Sequence, residues 1–392
     1  MNREVDVAIV GAGLVGLGFG AGIAGSGLSV AITDRAPVTT PSAPIGDEDW
    51  DSRVYAISPG SAEFLRGIGA WQNIACDRIQ PVESMLIRGD DGARLEFSAF
   101  DLGERALAWI VEERTLRAAL IPLVRTLGLP VLAPRELSSV TWSPDRARLH
   151  FAGADDLDAR LVIAADGLRS RVREAAGIIA TPRSYAQTGV VANFACEKAH
   201  HGRAFQWFMR DGGVLAWLPL PGRRMSMVWS APDALAAELV QLPGDVLAER
   251  VRAAGEGSLG RLACITPQVG FALSHLRLPT VIAHRLALVG DAAHGVHPLA
   301  GQGVNLGFGD AHALADVLRT RGPVGDPAAP LLLERYARRR AEPVRTMHLV
   351  TDGLARLFGT SAPGLRAVRN LGMSAVDRLP LLKRMLAQPA LR

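Results

Sequence analysis

The sequence predicts an α/β protein: a parallel sheet with its helices, a mainly antiparallel sheet inserted into it, and a helical segment at the C-terminus. Three observations predict this. Val5 to Val10 is a near-continuous apolar run, as a strand buried on both faces should be, and it ends at Gly11. A glycine-spaced segment, Gly11-Ala12-Gly13-Leu14-Val15-Gly16, follows it and opens a helical stretch. From Gly189 to Ser230 the pattern changes to short runs with turn signals between them, at 190–196, 203–209, 214–218 and 225–229. That reads as an antiparallel meander.

Taken in order, the first element is a Rossmann-like nucleotide site. Gly11 permits the tight turn, Gly13 lets the backbone approach a pyrophosphate, and Gly16 lets the helix sit close to the strand. The phosphates would rest on the helix N-terminus. A second apolar strand, Ser29 to Thr33, ends in Asp34, about 20 residues past the motif, where a carboxylate takes ribose hydroxyls. Gly18, Gly20 and Gly22 run against this helix, since each costs a helix interior roughly 1 kcal/mol relative to alanine. Close packing against the sheet is the expected reason. Residues 7–33 are uncharged and long enough to cross a bilayer. The turn at Gly11 would break such a span, and Arg3-Glu4 with Asp6 is not the basic flank of a signal peptide.

A proline-rich loop over 39–45 leads to Asp51-Ser52-Arg53 and a helix from about Pro59 to Gly67. Arg114 begins another helix that runs to Val124 before Gly128. Strands are expected at Val131, at 137–142, at 148–151 and at 161–164, the last delivering Ala165-Asp166-Gly167. One helical stretch is expected over 235–254. The strand at 286–289 then delivers Gly290-Asp291-Ala292-Ala293-His294, with Asp291 just past a strand end, where open parallel sheets place ligands. Pro298, Gly301, Gln302, Gly303, Val304 and Asn305 follow and enter a helix through Asp310, Leu314 and Leu318. Gly301 and Gly303 free backbone amides there, and the positive helix end would stabilise negative charge on a bound ring. In this order the three segments read as one flavin site.

Composition narrows the rest. At 392 residues, two domains are the prior, and 48% hydrophobic content can fill both cores. Net charge is only +4 and the arginines are spread until the C-terminal end, so nucleic acid is not suggested. Cys76, Cys196 and Cys264 form no CxxC pair, which indicates neither a disulfide framework nor zinc, and a reducing compartment fits best. Gly255 to Gly260 also matches a glycine triplet, but a helical pattern precedes it where a strand is required, so it reads as a surface loop. His294, His297, His200 and His201 have no carboxylate or cysteine cluster with them, and no metal is expected.

The three motifs, Asp51-Ser52-Arg53 and the block from Gly290 to Leu318 resemble the single-component flavin monooxygenases similar to para-hydroxybenzoate hydroxylase. Within them, the tail from Glu334 through Arg340, Asp352-Gly353-Leu354, Leu357-Phe358 and Arg369-Asn370-Leu371-Gly372 is similar to the ubiquinone-biosynthesis hydroxylases of the UbiH/UbiF/VisC type. The resemblance covers nearly the whole chain and is weaker from Gly189 to Leu278. It implies FAD, with Gly11, Gly13 and Gly16 at its pyrophosphate, Ala12 and Arg35 in the same set, and Asp34 at the adenosine ribose. Arg53 and Arg114 would lie along the FAD and its isoalloxazine side. Asp166-Gly167 would approach the pyrophosphate and the NAD(P)H path, Asp291 would bind ribityl, and Pro298 to Asn305 would lie against the ring. Arg53 and Pro298 would be the catalytic positions.

The implied chemistry is hydride transfer from NAD(P)H to the flavin, O2 addition at C4a, and transfer of one oxygen from the hydroperoxide to a polyprenylated phenol. Water must be excluded from that intermediate. Phe205, Trp207, Trp217 and Trp229 are expected to roof the cavity, although each also reads as domain core. Tyr55, Tyr185 and Tyr336 are the only tyrosines, and none has a partner readable from sequence, so no general base is named. The expected FAD-binding domain is 1–75, 98–180 and 275–343, the substrate domain 76–97 and 181–274, and the helical segment 344–392. That last segment is basic and amphipathic, so it either docks on the inner face of the cytoplasmic membrane or packs on the flavin domain or a homo-oligomer interface. Localisation is otherwise expected to be cytoplasmic. A ubiquinone-biosynthesis complex is a further expected partner. A flavin-dependent hydroxylase, epoxidase or prenyl reductase acting on another small or lipidic substrate, or a non-catalytic FAD-bearing assembly subunit, would share the front end.

Overall fold

The computed structural model describes residues 3–44, 46, 49–90, 92–296, 302–322, 325–359, 383 and 391. The opening apolar run forms the strand Arg3–Val10, which pairs in parallel with Ala154–Ala164 on one side and Val30–Thr33 on the other. Leu286–Leu288 and Val131–Leu132 extend the sheet on either side, also in parallel, and Ile282–Ala283 adds an antiparallel edge beyond Leu286–Leu288. The run lacks polar alternation because both faces are covered. Val7 and Ile9 enter the core beneath the helices Leu14–Ile23, Glu113–Thr126 and Gly303–Arg319, while Val5, Ala8 and Val10 enter a second core with Leu137, Leu149 and Phe151.

The glycines inside Leu14–Ile23 have a packing reason. A Cβ at Gly18 or Gly22 would press on the Phe308 or Phe64 ring at 3.3 and 3.4 Å, and one at Gly20 would meet Ile32 Cδ1 at 2.9 Å. Phe64 arrives on the helix Pro59–Gly67, which Ser58 caps by accepting from the Ser61 amide.

A second sheet takes strands from 84–98 and 183–275. Its order is Leu262–Cys264, Arg183–Cys196, Arg224–Pro232, Val214–Leu220, Arg203–Phe208, Ser84–Arg88 and Arg94–Ser98, with Val269–His275 also on Arg183–Cys196. All neighbours are antiparallel except Arg203–Phe208 with Ser84–Arg88. Where one helix was expected over 235–254, two are found, Asp233–Gln241 and Gly244–Ala254. Leu242 between them is extended at ψ 143°, because the Pro243 ring disfavours a helical residue before it.

A small sheet of Val54–Ile57, Ala108–Glu112 and Gln80–Val82 packs on the second sheet through a core of Trp50, Val82, Ile110, Ala204 and Leu220, while its Ile57 and Val111 enter the core of the first. These short strands were not anticipated from sequence. The helix Pro330–Gly359 closes the described chain, and the buried Tyr336 hydroxyl donates to the Leu288 carbonyl at 2.7 Å. Most of the basic tail thus lies outside the described residues, along with its expected membrane role. Among the described residues no helix is long and apolar enough to cross a membrane.

Candidate functional site

The nucleotide end is built by contact between the first two motifs. Gly11 has φ +112°, and a Cβ there would lie 2.2 Å from the Ala165 carbonyl oxygen. A Cβ at Gly16 would lie 2.0 Å from the Gly11 carbonyl oxygen, while one at Gly13 would meet nothing within 4 Å. So two glycines close the turn and the third leaves space over a helix start. That start has no side-chain cap and no acidic residue in its first turn, which leaves amides directed at the space. Asp34 accepts from the Ala12 amide at 2.7 Å and from the Ala36 amide at 2.8 Å, which holds the loop, and Arg35 beside it is exposed. Arg117, which the sequence reading passed over, donates to the Ala12 carbonyl at 3.4 Å. Its signal was its position, one helical turn after Arg114.

Asp166 and Gly167 follow the strand Ala154–Ala164 directly. Asp166 accepts from the Val172 amide at 3.3 Å, and its Oδ1 is buried without a partner. Burial pushes its carboxyl above the usual range, against hydrogen bonds from Ser170 and Val172. Gly167 has φ +83° and open space around it. Arg173, also unanticipated, is fully buried and donates to Leu168 O and Ala292 O, both at 3.0 Å, so it ties the second motif to the third.

At the ring end, Asp291 sits in the turn Gly290–Ala292 just past Leu286–Leu288. Its carboxylate is reachable by solvent but walled by protein, which raises its carboxyl; Asp310 adds to this, and His294 and Arg53 oppose it. A raised carboxyl destabilises the fold once ionised, so the stability it removes returns as pH falls through its native value. Asp291→Asn is therefore expected to raise the melting temperature of the FAD-free protein while weakening FAD binding by about tenfold. Equal melting temperatures and equal affinities would remove Asp291 from the site. Behind it, Asp310 accepts from the Gly290 amide at 2.9 Å and from Arg340 Nε at 2.6 Å, with His294 Nε2 at 2.5 Å.

Asn305 is committed to protein partners. Its amide donates to Ala56 O at 2.8 Å and to Gln302 Oε1 at 3.2 Å, and it accepts from the Ser58 amide at 3.0 Å. It thereby sets the start of Gly303–Arg319 against Val54–Ile57, with Gln302 buried, Val304 half-buried and Gly303 facing open space. Pro298 and Gly301 lie outside the described residues.

Arg53 bridges the edge of the small sheet and the second sheet. Its guanidinium pairs with Glu113 at 2.8 Å and lies over the Phe271 ring at 4.6 Å. Asp51 beside it accepts from the Arg53 and Arg114 amides, both at 3.0 Å, while its carbonyl accepts from Asn193 at 2.8 Å. The Arg114 guanidinium turns to Asp49 at 2.8 Å and to the buried Glu112 at 3.5 Å, so it secures the 49–51 loop.

These contacts show which face of the second sheet looks into the site, and correct an expectation. Phe205, Trp207, Trp217 and Trp229 lie on the other face, packed with Leu239, Leu247 and Val251 of the two covering helices. Trp207 and Trp217 meet edge to face at 4.8 Å. They are domain core, because a strand's alternate residues point oppositely and a shift of one exchanges the faces. The face shared with Asn193 and Phe271 presents the half-buried Val191, Ala216, Leu218 and Val228. A cavity of ≈ 480 Å³ opens on the helix side beside Phe205, but its Arg88, Arg94 and Arg203 are already paired with Glu256 and Glu96.

The open, uncapped helix start at Gly13 and the unpaired buried Asp166 oxygen fit a dinucleotide, and the FAD binding domain model matches residues 4–349. The chain belongs to the FAD-binding monooxygenase family. Ubiquinone hydroxylase UbiL of Rhodospirillum rubrum is 34% identical to this family member over 393 residues, with 100% of this chain and 90% of that protein covered. The 3-demethoxyubiquinol 3-hydroxylase of Escherichia coli is 34% identical over 394 residues, covering 100% and 99%. The crystal structure of p-nitrophenol 4-monooxygenase PnpA from Pseudomonas putida DLL-E4 shares the fold, with TM-score 0.82 at 19% identity over 100% of this chain and 99% of that one.

Proposed function

We propose that this FAD-dependent monooxygenase hydroxylates the ring of a polyprenylated phenol in ubiquinone biosynthesis, with NAD(P)H and O2 as co-substrates. The observation that carries it is full-length identity of 34% to two ubiquinone hydroxylases, across a chain that also builds the three-motif site. Bound FAD supplies the redox chemistry between NAD(P)H and O2. The amides after Gly13 hold its pyrophosphate, Arg117 adds a positive charge there, and Asp34 takes the ribose with Arg35 at the outer edge. Asp291 holds the ribityl hydroxyls. The N-terminus of Gly303–Arg319 stabilises negative charge on the ring, with Gln302 to Asn305 beside it. Val191, Val228 and Phe271 exclude water from the ring end.

Arg53, held between Glu113 and Phe271, orients the approaching nicotinamide. With FAD kept saturating, Arg53→Ala should slow flavin reduction by NAD(P)H by roughly 10–100-fold, read by stopped-flow absorbance. An unchanged reduction rate would take this role away from Arg53. The substrate itself is tested by expressing the chain in bacterial strains that each lack one ring-hydroxylation step. Restored ubiquinone in one strain, with loss of the accumulated precursor by mass, supports the reading and names the ring position; no restoration in any strain counts against it.

A further inference from the structure

The structure separates the chain's three tyrosines. Tyr336 is buried with its hydroxyl committed to Leu288, and Tyr185 packs on the His275 ring at 5.2 Å in the second sheet. Tyr55 is different. It lies on Val54–Ile57, two residues after Arg53, on a strand whose Ala56 carbonyl is fixed by Asn305. Its ring is half-buried against the core of the nucleotide domain, and its hydroxyl has no hydrogen-bond partner among the described residues. It is also near enough to Glu113, Arg53, Asp291 and Asp51 to feel their charges. A hydroxyl with no partner among the described residues thus lies two residues on from the guanidinium expected at the nicotinamide, near enough to the carboxylate expected at ribityl to feel its charge.

Its protonation decides what it can do. Burial is the largest influence and raises the phenol well above its ordinary value; Glu113, Asp291 and Asp51 add to this, and Arg53 alone opposes it. Tyr55 therefore keeps its proton at every working pH. It can donate a hydrogen bond but cannot remove a proton.

We propose that Tyr55 is a positioning residue whose hydroxyl donates a hydrogen bond to an anionic oxygen of a bound aromatic ring. This rests on the hydroxylase reading above. Such an oxygen has two sources, the phenolate of the ring substrate and the pyrimidine edge of reduced FAD. With either, the neutral donor and the Arg53 cation act together on one negative charge, a combination that favours the anion over its protonated form. A phenolate is also the more electron-rich ring, which suits transfer of an electrophilic oxygen.

The test uses the FAD-loaded full chain, Tyr55→Phe, and Tyr185→Phe as a control outside the site. One arm titrates 2-geranylphenol against the oxidised enzyme and follows the flavin absorbance. The other follows the spectrum of the reduced enzyme against pH without phenol. If the substrate is the source, Tyr55→Phe weakens geranylphenol binding by about tenfold and leaves the reduced spectrum alone. If the flavin is the source, the reduced flavin takes up its proton about one pH unit higher in Tyr55→Phe. Both support the proposal and tell the sources apart. Tyr55→Phe matching the unsubstituted protein and Tyr185→Phe in both arms overturns it. An unsubstituted protein that binds FAD but never responds to geranylphenol contradicts the phenol-hydroxylase reading instead, and the reduced-flavin arm still decides Tyr55.

Discussion

Asp310→Ala is expected to cost about 3–5 kcal/mol of stability, the range for breaking a buried ion pair by removing one partner. Asp310 and His294 are 1% and 2% exposed, and Arg340 is 12% exposed. Without the carboxylate, the Arg340 guanidinium is left with the Leu306 carbonyl at 3.0 Å, and the Gly290 amide loses its acceptor. The turn carrying Asp291 would then lose its register against Gly303–Arg319, so FAD affinity should fall with stability. The effect has a definite pH dependence. Burial alone would raise the Asp310 carboxyl, but His294 and Arg340 outweigh it and hold the group below the ordinary range. A lowered carboxyl contributes stability that is present above its unfolded value of about 4 and lost as pH falls through the native value. Urea denaturation at pH 7 should therefore show the full difference between the two proteins, and the gap should narrow below about pH 4. A difference under about 1 kcal/mol at pH 7 would show that the triad is not holding this turn.

Gly16→Ala carries the second large effect. The new Cβ would lie 2.0 Å from the Gly11 carbonyl oxygen, and that oxygen is backbone, with no rotamer to relieve it. The helix must back away from the strand, which displaces the free amides proposed to hold the pyrophosphate. The expected cost is about 3 kcal/mol, at the upper end for overpacking, with FAD affinity down about 100-fold. Gly18→Ala is the internal comparison. Its Cβ would meet the Phe308 and Phe64 rings at 3.3 and 3.4 Å, contacts that side chains can relax. Calorimetry and FAD titration should separate the two alanines clearly. Similar values for both would mean that generic helix packing, and no special closeness at Gly16, sets the requirement.

The contrast between these two glycines shows what was legible in the chain. The nucleotide half could be read because Gly16 is required by the carbonyl of Gly11 only five residues before it, because Gly11 has a φ of +112° that favours glycine, and because Val5 to Val10 is apolar on both faces. Asp291 was readable as the residue past a strand. The second sheet was readable as a meander but not as an oriented one. Alternation groups Trp207, Trp217 and Trp229 on a single face, yet nothing local says whether that face meets a helix or a ligand. Two helices downstream decide it, and they were read as one. Arg173 and Arg340 were missed for a related reason. Arg173 acts on a carbonyl 119 residues away and Arg340 on a carboxylate 30 residues away, and no spacing rule reaches across such intervals. Tyr55 required the same tertiary knowledge, since only the fold brings Asp291 to it.

Insertion of one atom of O2 into the ring of a prenylated phenol is read by incubating the FAD-loaded protein with NAD(P)H, 2-geranylphenol and isotopically labelled O2. A hydroxylated phenol carrying one labelled oxygen should form in step with NAD(P)H oxidation. NAD(P)H consumption that returns all the label as hydrogen peroxide, or a phenol whose prenyl chain is reduced without label, would contradict that insertion.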